Sequence, residues 1–192
     1  MKTPYVSIII PTTNRNDQIL QSFRSILNDK YFNDYEIIIV NDSCNELRHR
    51  IMAETKKFTN VKIIRSNSRS ASGARSKGAE SARGKYITFL DDDDFLGPDR
   101  ISQMFDFAET HTAKSYSFIS TQRAVTNRDM NFISVPEKQL QGTVNLDDIL
   151  YINDIDIGIL IKNDLYRAIG GFDQNFAALE DWDLVIRLLL NS

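Results

Sequence analysis

Four consecutive carboxylates, Asp91–Asp94, are the residues whose types and spacing point most directly to chemistry. They follow the apolar run Tyr86–Leu90, which is typical of a buried strand, so the acids are expected where that strand leaves the core. Adjacent carboxylates repel, since two unit charges ~4 Å apart cost roughly 4 kcal/mol at an effective dielectric near 20. Alternate residues of an extended segment share a side, so Asp91 and Asp93, or the other two acids, could converge.

A hard cation between two of these carboxylates would offset their repulsion. Mg²⁺ and Mn²⁺ favour sites in which one or two carboxylates bind the ion and substrate phosphates complete its coordination. The alternative interpretation is a solvated acidic turn ahead of the following helix, because acids favour helix N-termini. The run alone does not decide between the two.

A second acidic pair, Glu180 and Asp181, opens the last apolar-periodic segment of the chain. A carboxylate there could act as a general base if an acceptor hydroxyl lay within hydrogen-bond distance. The helix dipole favours acids at this position whatever their function, so the pair alone favours a structural role. Trp182 beside it is either a core residue or a platform for the face of a sugar.

Composition indicates one globular domain and excludes several other classes. The chain has 192 residues, of which 42% are hydrophobic and 26% charged, and its net charge of −3 gives no basic field for nucleic acid. The single Cys44 excludes an internal disulfide and fits a reducing cytosol. With two histidines in all, a Cys/His zinc site is not expected. No apolar run reaches the ~20 residues of a transmembrane helix, and no signal peptide is visible.

The first half alternates strand and helix patterns. Four apolar segments predict buried strands: Val6–Ile10, Glu36–Val40, Val61–Ile64 and Tyr86–Leu90. Such alternation predicts right-handed βαβ units and an α/β fold with a mostly parallel central sheet flanked by helices. Ligands of such sheets bind beyond the carboxyl ends of the strands. The polar segments Thr12–Asn14 and Asn41–Asp42 are therefore expected on one rim with the acidic run, and Pro11 is expected to end the first strand.

The second half has a weaker pattern. It predicts strands at 115–120 and 155–161, a hairpin over 124–135, and helices over 145–151, 162–169 and from Glu180 onward. We expect one domain over residues 1–192, with a nucleotide-binding half at 1–110 and an acceptor-side half at 111–192. Because the last helix reaches Ser192 without a stop signal, we expect a C-terminally truncated chain.

Other phosphate and metal motifs are absent or ambiguous. Gly73 and Gly78 have P-loop spacing, but the Lys-Ser/Thr that should follow is missing, and no GxGxxG occurs. Asp42 is either a helix cap or an acceptor for a base or sugar group. Arg75 lies either on a solvated helix face or against a phosphate.

Taken together in order and spacing, five segments resemble the family 2 glycosyltransferases. They are Val6–Asn14, Glu36–Ser43, Gly84–Asp94, Gly170–Asp173 and Glu180–Asp183. The resemblance implies a GT-A fold, a nucleotide-diphosphate sugar (a UDP-sugar is expected) as donor, Mg²⁺ or Mn²⁺, and inversion at the anomeric carbon. It also implies a saccharide or lipid-linked acceptor in polysaccharide or glycoconjugate synthesis. The expected location is the cytoplasm at the inner membrane face, with peripheral contact through a missing C-terminal part.

The resemblance also implies roles for individual residues. The positions that it assigns to the nucleotide are Pro11, Thr12, Asn14, Asp42 and Arg75. Asp92 and Asp93 match the DXD-type site for ribose and metal, and Asp91 is an alternative metal ligand. Asp181 matches the catalytic base, and Glu180 supports it. The alternative functions are a nucleotide-sugar-binding domain or inactive fragment without turnover, and a nucleotidyltransferase, which would need a Gly-rich loop after the first strand.

Overall fold

A computed structural model describes residues 3–13, 18–29, 32–41, 45–68, 70–111, 116–127, 131–137 and 139–191. The strands are β1 Val6–Thr12, β2 Tyr35–Asn41, β3 Val61–Arg65, β4 Tyr86–Phe89, β5 Phe118–Ile119, β6 Val125–Thr126, β7 Phe132–Ser134 and β8 Leu160–Lys162. The helices are α1 Gln18–Ile26, α2 Asn45–Thr55, α3 Ala71–Ser81, α4 Arg100–Thr110, α5 Leu146–Ile149, α6 Asn163–Ala168 and α7 Glu180–Leu190.

Six strands form the central sheet in the order β3-β2-β1-β4-β8-β5. Strands β1 to β4 are parallel, whereas β8 pairs antiparallel with β4 and with β5. This confirms the predicted α/β fold with a mostly parallel sheet. The remaining two strands, β6 and β7, form the predicted antiparallel hairpin outside that sheet.

Both faces of the sheet are covered, which explains the near-continuous apolar sequences of β1 and β2. Ile9, Ile38 and Phe89 belong to the core under α3 and α7. Ile8 and Ile10 belong to the core under α1 and α4. The alternation of neighbouring residues between the two cores follows from the two-residue period of a strand.

Helix α3 lies unusually close to the sheet. A Cβ added at Gly78 would lie 2.4 Å from Ile9 Cγ2, so only glycine fits this contact. The helix begins at Ala71 because Ser70 caps it: its Oγ accepts the Gly73 amide at 3.1 Å. This close packing brings the middle of α3 to the sheet rim.

Several predicted strand boundaries are wrong. Pro11 does not end β1, which continues to Thr12 in register with β2. The Ile9 carbonyl accepts the Leu90 amide, so the backbone polar groups of Ile9 point toward β4. The backbone nitrogen of Pro11, two residues further on, points the same way but lies beyond the last β1–β4 pair. Its missing N–H therefore costs no hydrogen bond of the sheet.

The strand predicted at 155–161 is, in contrast, shorter than expected, since only Leu160–Lys162 pair as β8. The backbone before it is bound by side chains. The Gly158 carbonyl accepts from Arg100 at 2.8 Å, and the Gly158 amide donates to Asp156 Oδ1 at 2.7 Å. The predicted strand at 115–120 is reduced in the described residues to β5. None of the helices in the described part of the chain combines the length and apolar character needed to cross a bilayer.

Candidate active site

The rim of the sheet joins the end of β1 to the acidic run after β4. Thr12 Oγ1 donates to Asp92 Oδ2 at 2.6 Å, and both residues are buried. The Asp94 amide donates to the Asp91 carbonyl at 3.1 Å, so the run turns sharply rather than remaining extended. This turn separates the four carboxylates, so that each has its own surroundings.

Arg75 on α3 links the acidic run to the start of α7. Its guanidinium donates to Asp91 Oδ1 at 2.6 Å and to Glu180 Oε1 at 2.8 Å, and the side chain is only 6% exposed. The guanidinium carbon also lies 5.7 Å from the centre of the Phe172 ring. Burial acts to lower the pKa of Arg75, but Asp91 and Glu180 outweigh that effect and hold the pKa above its ordinary value. Three elements distant in sequence therefore meet at one cation.

The predicted base, Asp181, follows Glu180 in the first turn of α7. Its Oδ1 accepts the Trp182 amide at 2.7 Å, and its Oδ2 lies 3.4 Å from Asn153 Nδ2, a weak donor contact. The Trp182 indole N–H donates to the Ile149 carbonyl at 2.8 Å. Trp182 therefore fixes the segment that follows α5 against α7, and that segment brings Asn153 to Asp181. The sequence analysis did not single out Asn153, because nothing in its spacing from Asp181 indicates that the two side chains meet.

A cleft of about 750 Å³ opens beside the acidic run. Asp91, Asp93 and Asp94 line it, whereas Asp181 does not. Asp181 is connected to the cleft through two chains of contacts. In the first chain, the neighbouring residue Glu180 accepts from Arg75, which also donates to the lining residue Asp91. In the other, Asn153 is followed by Asp154, which binds the lining residue Arg123.

Asp94 is a candidate functional residue that the predicted site did not include. Partial burial, and then the charges of Asp91, Asp93 and Asp156, raise the pKa of Asp94 to about 6, although Arg100 acts in the opposite direction. The sequence feature that could have pointed to Asp94 is its position as the last of four adjacent acids. The raised pKa reflects burial first and concentrated negative charge second, and a bound cation would relieve the second effect.

The carboxylates of the acidic run provide only part of the ligand set that a hard cation needs. Among the residues that the structure describes, no three His, Cys, Asp or Glu side chains converge to hold a metal ion. Mg²⁺ commonly takes one or two carboxylates and completes its coordination with water and phosphate oxygens. The exposed Asp93, with Asp91 or Asp94 beside it, offers such an incomplete site.

Two predicted nucleotide contacts, Asn14 and Asp42, lie outside the described residues. Pro11 is buried within β1, and Thr12 is bonded to Asp92. Arg75, also predicted at the nucleotide, has its charge engaged by Asp91 and Glu180. The structure thus brings Thr12, Asp92, Asp91, Arg75 and Glu180 into one connected rim.

Comparisons with known proteins agree with this architecture. An uncharacterized glycosyltransferase of Haemophilus influenzae is 27% identical over 187 residues, covering 96% of this chain and 62% of the relative. The poly(ribitol-phosphate) beta-N-acetylglucosaminyltransferase TarP of Staphylococcus aureus is 28% identical over 111 residues, covering 56% of this chain and 34% of TarP. The chain therefore spans less than two thirds of these relatives.

Solved structures share the fold at low identity. S. aureus TarS superposes with a TM-score of 0.80 at 19% identity, covering 97% of this chain and 34% of TarS. A TarS fragment in complex with UDP-GlcNAc gives a TM-score of 0.78 at 18% identity, covering 97% of this chain and 54% of the fragment. The family model described as Glycosyl transferase family 2 matches residues 7–166. This chain therefore belongs to glycosyl transferase family 2.

Proposed function

We propose that this chain is the catalytic part of a glycosyltransferase that moves a sugar from a UDP-sugar to an acceptor hydroxyl with inversion. The observation that carries the proposal is the Arg75 bridge, which holds the start of α7, with Asp181, beside the acidic run. Family membership supports the reaction class. The TarS structures, which share the fold, include complexes with UDP and UDP-GlcNAc and so support the donor class.

In the proposed reaction Asp181 takes the proton of the acceptor hydroxyl as that oxygen attacks the anomeric carbon. The bond from the anomeric carbon to the diphosphate oxygen breaks, and the diphosphate leaves with the bonding electron pair. One displacement inverts the configuration and needs one base, which accounts for the single carboxylate assigned to proton transfer. The Trp182 amide and Asn153 orient the Asp181 carboxylate for this step.

Asp93, with Asp91 or Asp94, would hold Mg²⁺ or Mn²⁺, which when bound neutralises charge on the diphosphate. Asp92, whose carboxylate accepts from Thr12, would contact the ribose, and Asn14 and Asp42 would contact the nucleotide. The relative TarP is named for transfer to poly(ribitol-phosphate), which supports cell-surface glycopolymer or glycoconjugate synthesis as the setting. A saccharide or lipid-linked acceptor at the inner membrane face is part of the same proposal.

Asp181→Asn tests the assignment of the base. We expect UDP release from a panel of UDP-Glc, UDP-Gal and UDP-GlcNAc to fall by about 10²–10⁴-fold, because general-base catalysis contributes that much. The affinity for UDP, measured by calorimetry with Mn²⁺, should change less than twofold. Asp183→Asn is the matched control, since Asp183 lies on the same helix but pairs with Arg187 at 2.6 Å.

Equal UDP release by the wild type and Asp181→Asn would contradict the assignment. UDP binding without turnover of any donor by the wild type would instead favour a nucleotide-sugar-binding domain. Absence of UDP binding would contradict the proposed function itself.

A further inference from the structure

The two carboxylate oxygens of the proposed base, Asp181, have unequal partners. Oδ1 accepts the Trp182 amide at 2.7 Å, a short bond within the first turn of α7. Among the described residues, Oδ2 is contacted by Asn153 Nδ2 at 3.4 Å, which is long for a hydrogen bond. Because a short donor bond stabilises negative charge on Oδ1, a proton is better placed on Oδ2.

The Asn153 side chain uses one of its polar atoms and leaves the other without a partner. Its Nδ2 faces Asp181, while its Oδ1 is buried and accepts no hydrogen bond from the described part of the chain. A buried acceptor without a donor costs free energy, so such atoms are normally bonded. An apolar side chain of similar size would avoid this cost. Packing alone therefore does not account for an amide at this position.

The backbone on both sides of Asn153 is fixed by contacts that do not involve its amide. Before it, the Ile149 carbonyl accepts from the Trp182 indole N–H at 2.8 Å. After it, Asp154 Oδ2 accepts the Leu140 amide at 2.7 Å. The segment therefore stays beside α7 without help from the Asn153 side chain, and the amide group can turn without moving the backbone.

An amide group keeps nearly the same shape when it makes a half turn, and the turn exchanges its donor end for its acceptor end. In one orientation Asn153 Nδ2 donates to the ionised Asp181 Oδ2. In the other orientation Asn153 Oδ1 accepts from the same oxygen once that oxygen carries a proton. A side chain that can only donate, or only accept, would match one of these two states.

We propose that Asn153 is a positioning residue for proton transfer, which makes Asp181 Oδ2 the oxygen that takes the acceptor proton and bonds that oxygen before and after the transfer. This inference rests on the proposed glycosyl transfer. The acceptor O–H bond breaks, and its proton bonds to Asp181 Oδ2. The electron pair left on the acceptor oxygen attacks the anomeric carbon, whose bond to the diphosphate breaks with its electron pair leaving on the diphosphate. The Asn153 amide then turns, and its Oδ1 accepts the new O–H.

Asn153→Leu removes the amide and keeps a similar volume. We expect kcat for UDP release from the panel of UDP-Glc, UDP-Gal and UDP-GlcNAc to fall by about 10–100-fold, the scale of a hydrogen bond to a charged group. The donor KM should change less than about twofold, since the donor contacts are untouched. Urea unfolding should show a protein at least as stable as the wild type, because the unpartnered acceptor is gone. Asn153→Gln, which keeps an amide, should recover part of the rate.

Asn163→Leu is the matched control, because Asn163 is also half-buried but uses both ends of its amide. Its Nδ2 donates to the Gly84 carbonyl at 2.9 Å, and its Oδ1 accepts from Arg167 at 3.0 Å. Gly84 precedes β4, so this asparagine lies at the end of the strand opposite to the acidic run. Asn163→Leu should lower the stability and leave kcat unchanged, which is the reverse of the result expected for Asn153→Leu.

A double-mutant cycle tests the turn of the amide. Asp181→Asn places a permanent donor beside Asn153, as the protonated acid would. Asn153→Leu should therefore lower the free energy of unfolding in the Asp181→Asn background, although it does not do so in the wild type. The same effect in both backgrounds would overturn the turn of the amide.

The remaining outcomes also decide the inference. An unchanged kcat in Asn153→Leu would overturn the positioning role. A loss of rate together with a loss of stability would reduce Asn153 to a structural link between its segment and α7. If Asp181→Asn releases UDP as fast as the wild type, the proposed base fails and this inference falls with it, so the two failures are distinguishable.

Discussion

The acids at the rim of the sheet fall into two groups that differ in what balances their charge. Asp91 and Glu180 bind the buried guanidinium of Arg75, which holds three chain segments together. Asp93 and Asp94 face the cleft, where the pKa of Asp94 is raised to about 6. The first group shares one buried cation, whereas in the second the neighbouring acids act together with burial to raise the pKa of Asp94.

This difference shows that the four-carboxylate run is not one functional unit. The turn from Asp91 to Asp94 directs Asp92 toward Thr12 and the other three acids toward the cleft, where Asp91 also binds Arg75. Acids in the first group take part in a buried ion pair that is costly to break, while ionised Asp94 in the second carries a cost that a bound cation would offset. The following substitutions separate these two contributions.

Removing Arg75 should have the largest effect. Arg75→Ala leaves Asp91 and Glu180 together without their cation, and breaking such a buried pair costs about 3–5 kcal/mol of unfolding free energy. Urea unfolding measures this loss, and Arg75→Lys should recover part of it. Lys77→Ala on the same helix removes only an exposed pair with Glu80 and should cost less than about 1 kcal/mol. Equal stability of the Arg75→Ala and Lys77→Ala proteins would refute the distinction.

Binding of Mn²⁺ with UDP should stabilise the protein through the second group. At ligand concentrations of about 100 Kd the expected gain is about 2.7 kcal/mol, because ligand that binds only the folded state shifts the equilibrium by mass action. Thermal unfolding with and without EDTA measures it. Asp93→Asn should lose most of this gain, whereas Asp106→Asn, at an exposed position on α4, should keep it. If the Asp93→Asn protein keeps the full gain in stability, Asp93 is not a ligand of the metal.

Neutralising Asp94 should have a smaller effect that depends on pH. Its folded-state pKa of about 6 exceeds the ordinary value of 3.8, so the folded protein binds this proton more tightly than the unfolded chain. Wild-type stability should therefore fall as pH rises from about 4 to about 6 and then stay level.

Asp94→Asn removes this dependence. It should be more stable than the wild type by about 1 kcal/mol at pH 8, a value reduced for solvent screening of this exposed side chain, and about equal below pH 4. Asp93→Asn should weaken the pH dependence, since Asp93 contributes to the raised pKa of Asp94. Parallel urea unfolding curves from pH 4 to 8 for all three proteins would contradict this account.

The sequence by itself determined the sheet and the family. Runs such as Ile8–Ile10 and Ile37–Val40 are apolar on both faces, as is typical of parallel strands that are covered on both sides. The order and spacing of five motifs pointed to the family. These features are local, since each depends on neighbours within one strand or helix.

Only the tertiary structure decided how the acids are divided. Arg75 meets Glu180 across 105 residues of sequence, and Thr12 meets Asp92 across 80. The shortened β8, the contact of Asn153 with Asp181 and the lining of the cleft likewise depend on where distant segments pack. Local pattern carries no information on such pairings, because hydrogen bonds and ion pairs act over a few ångströms and only the folded chain sets those distances.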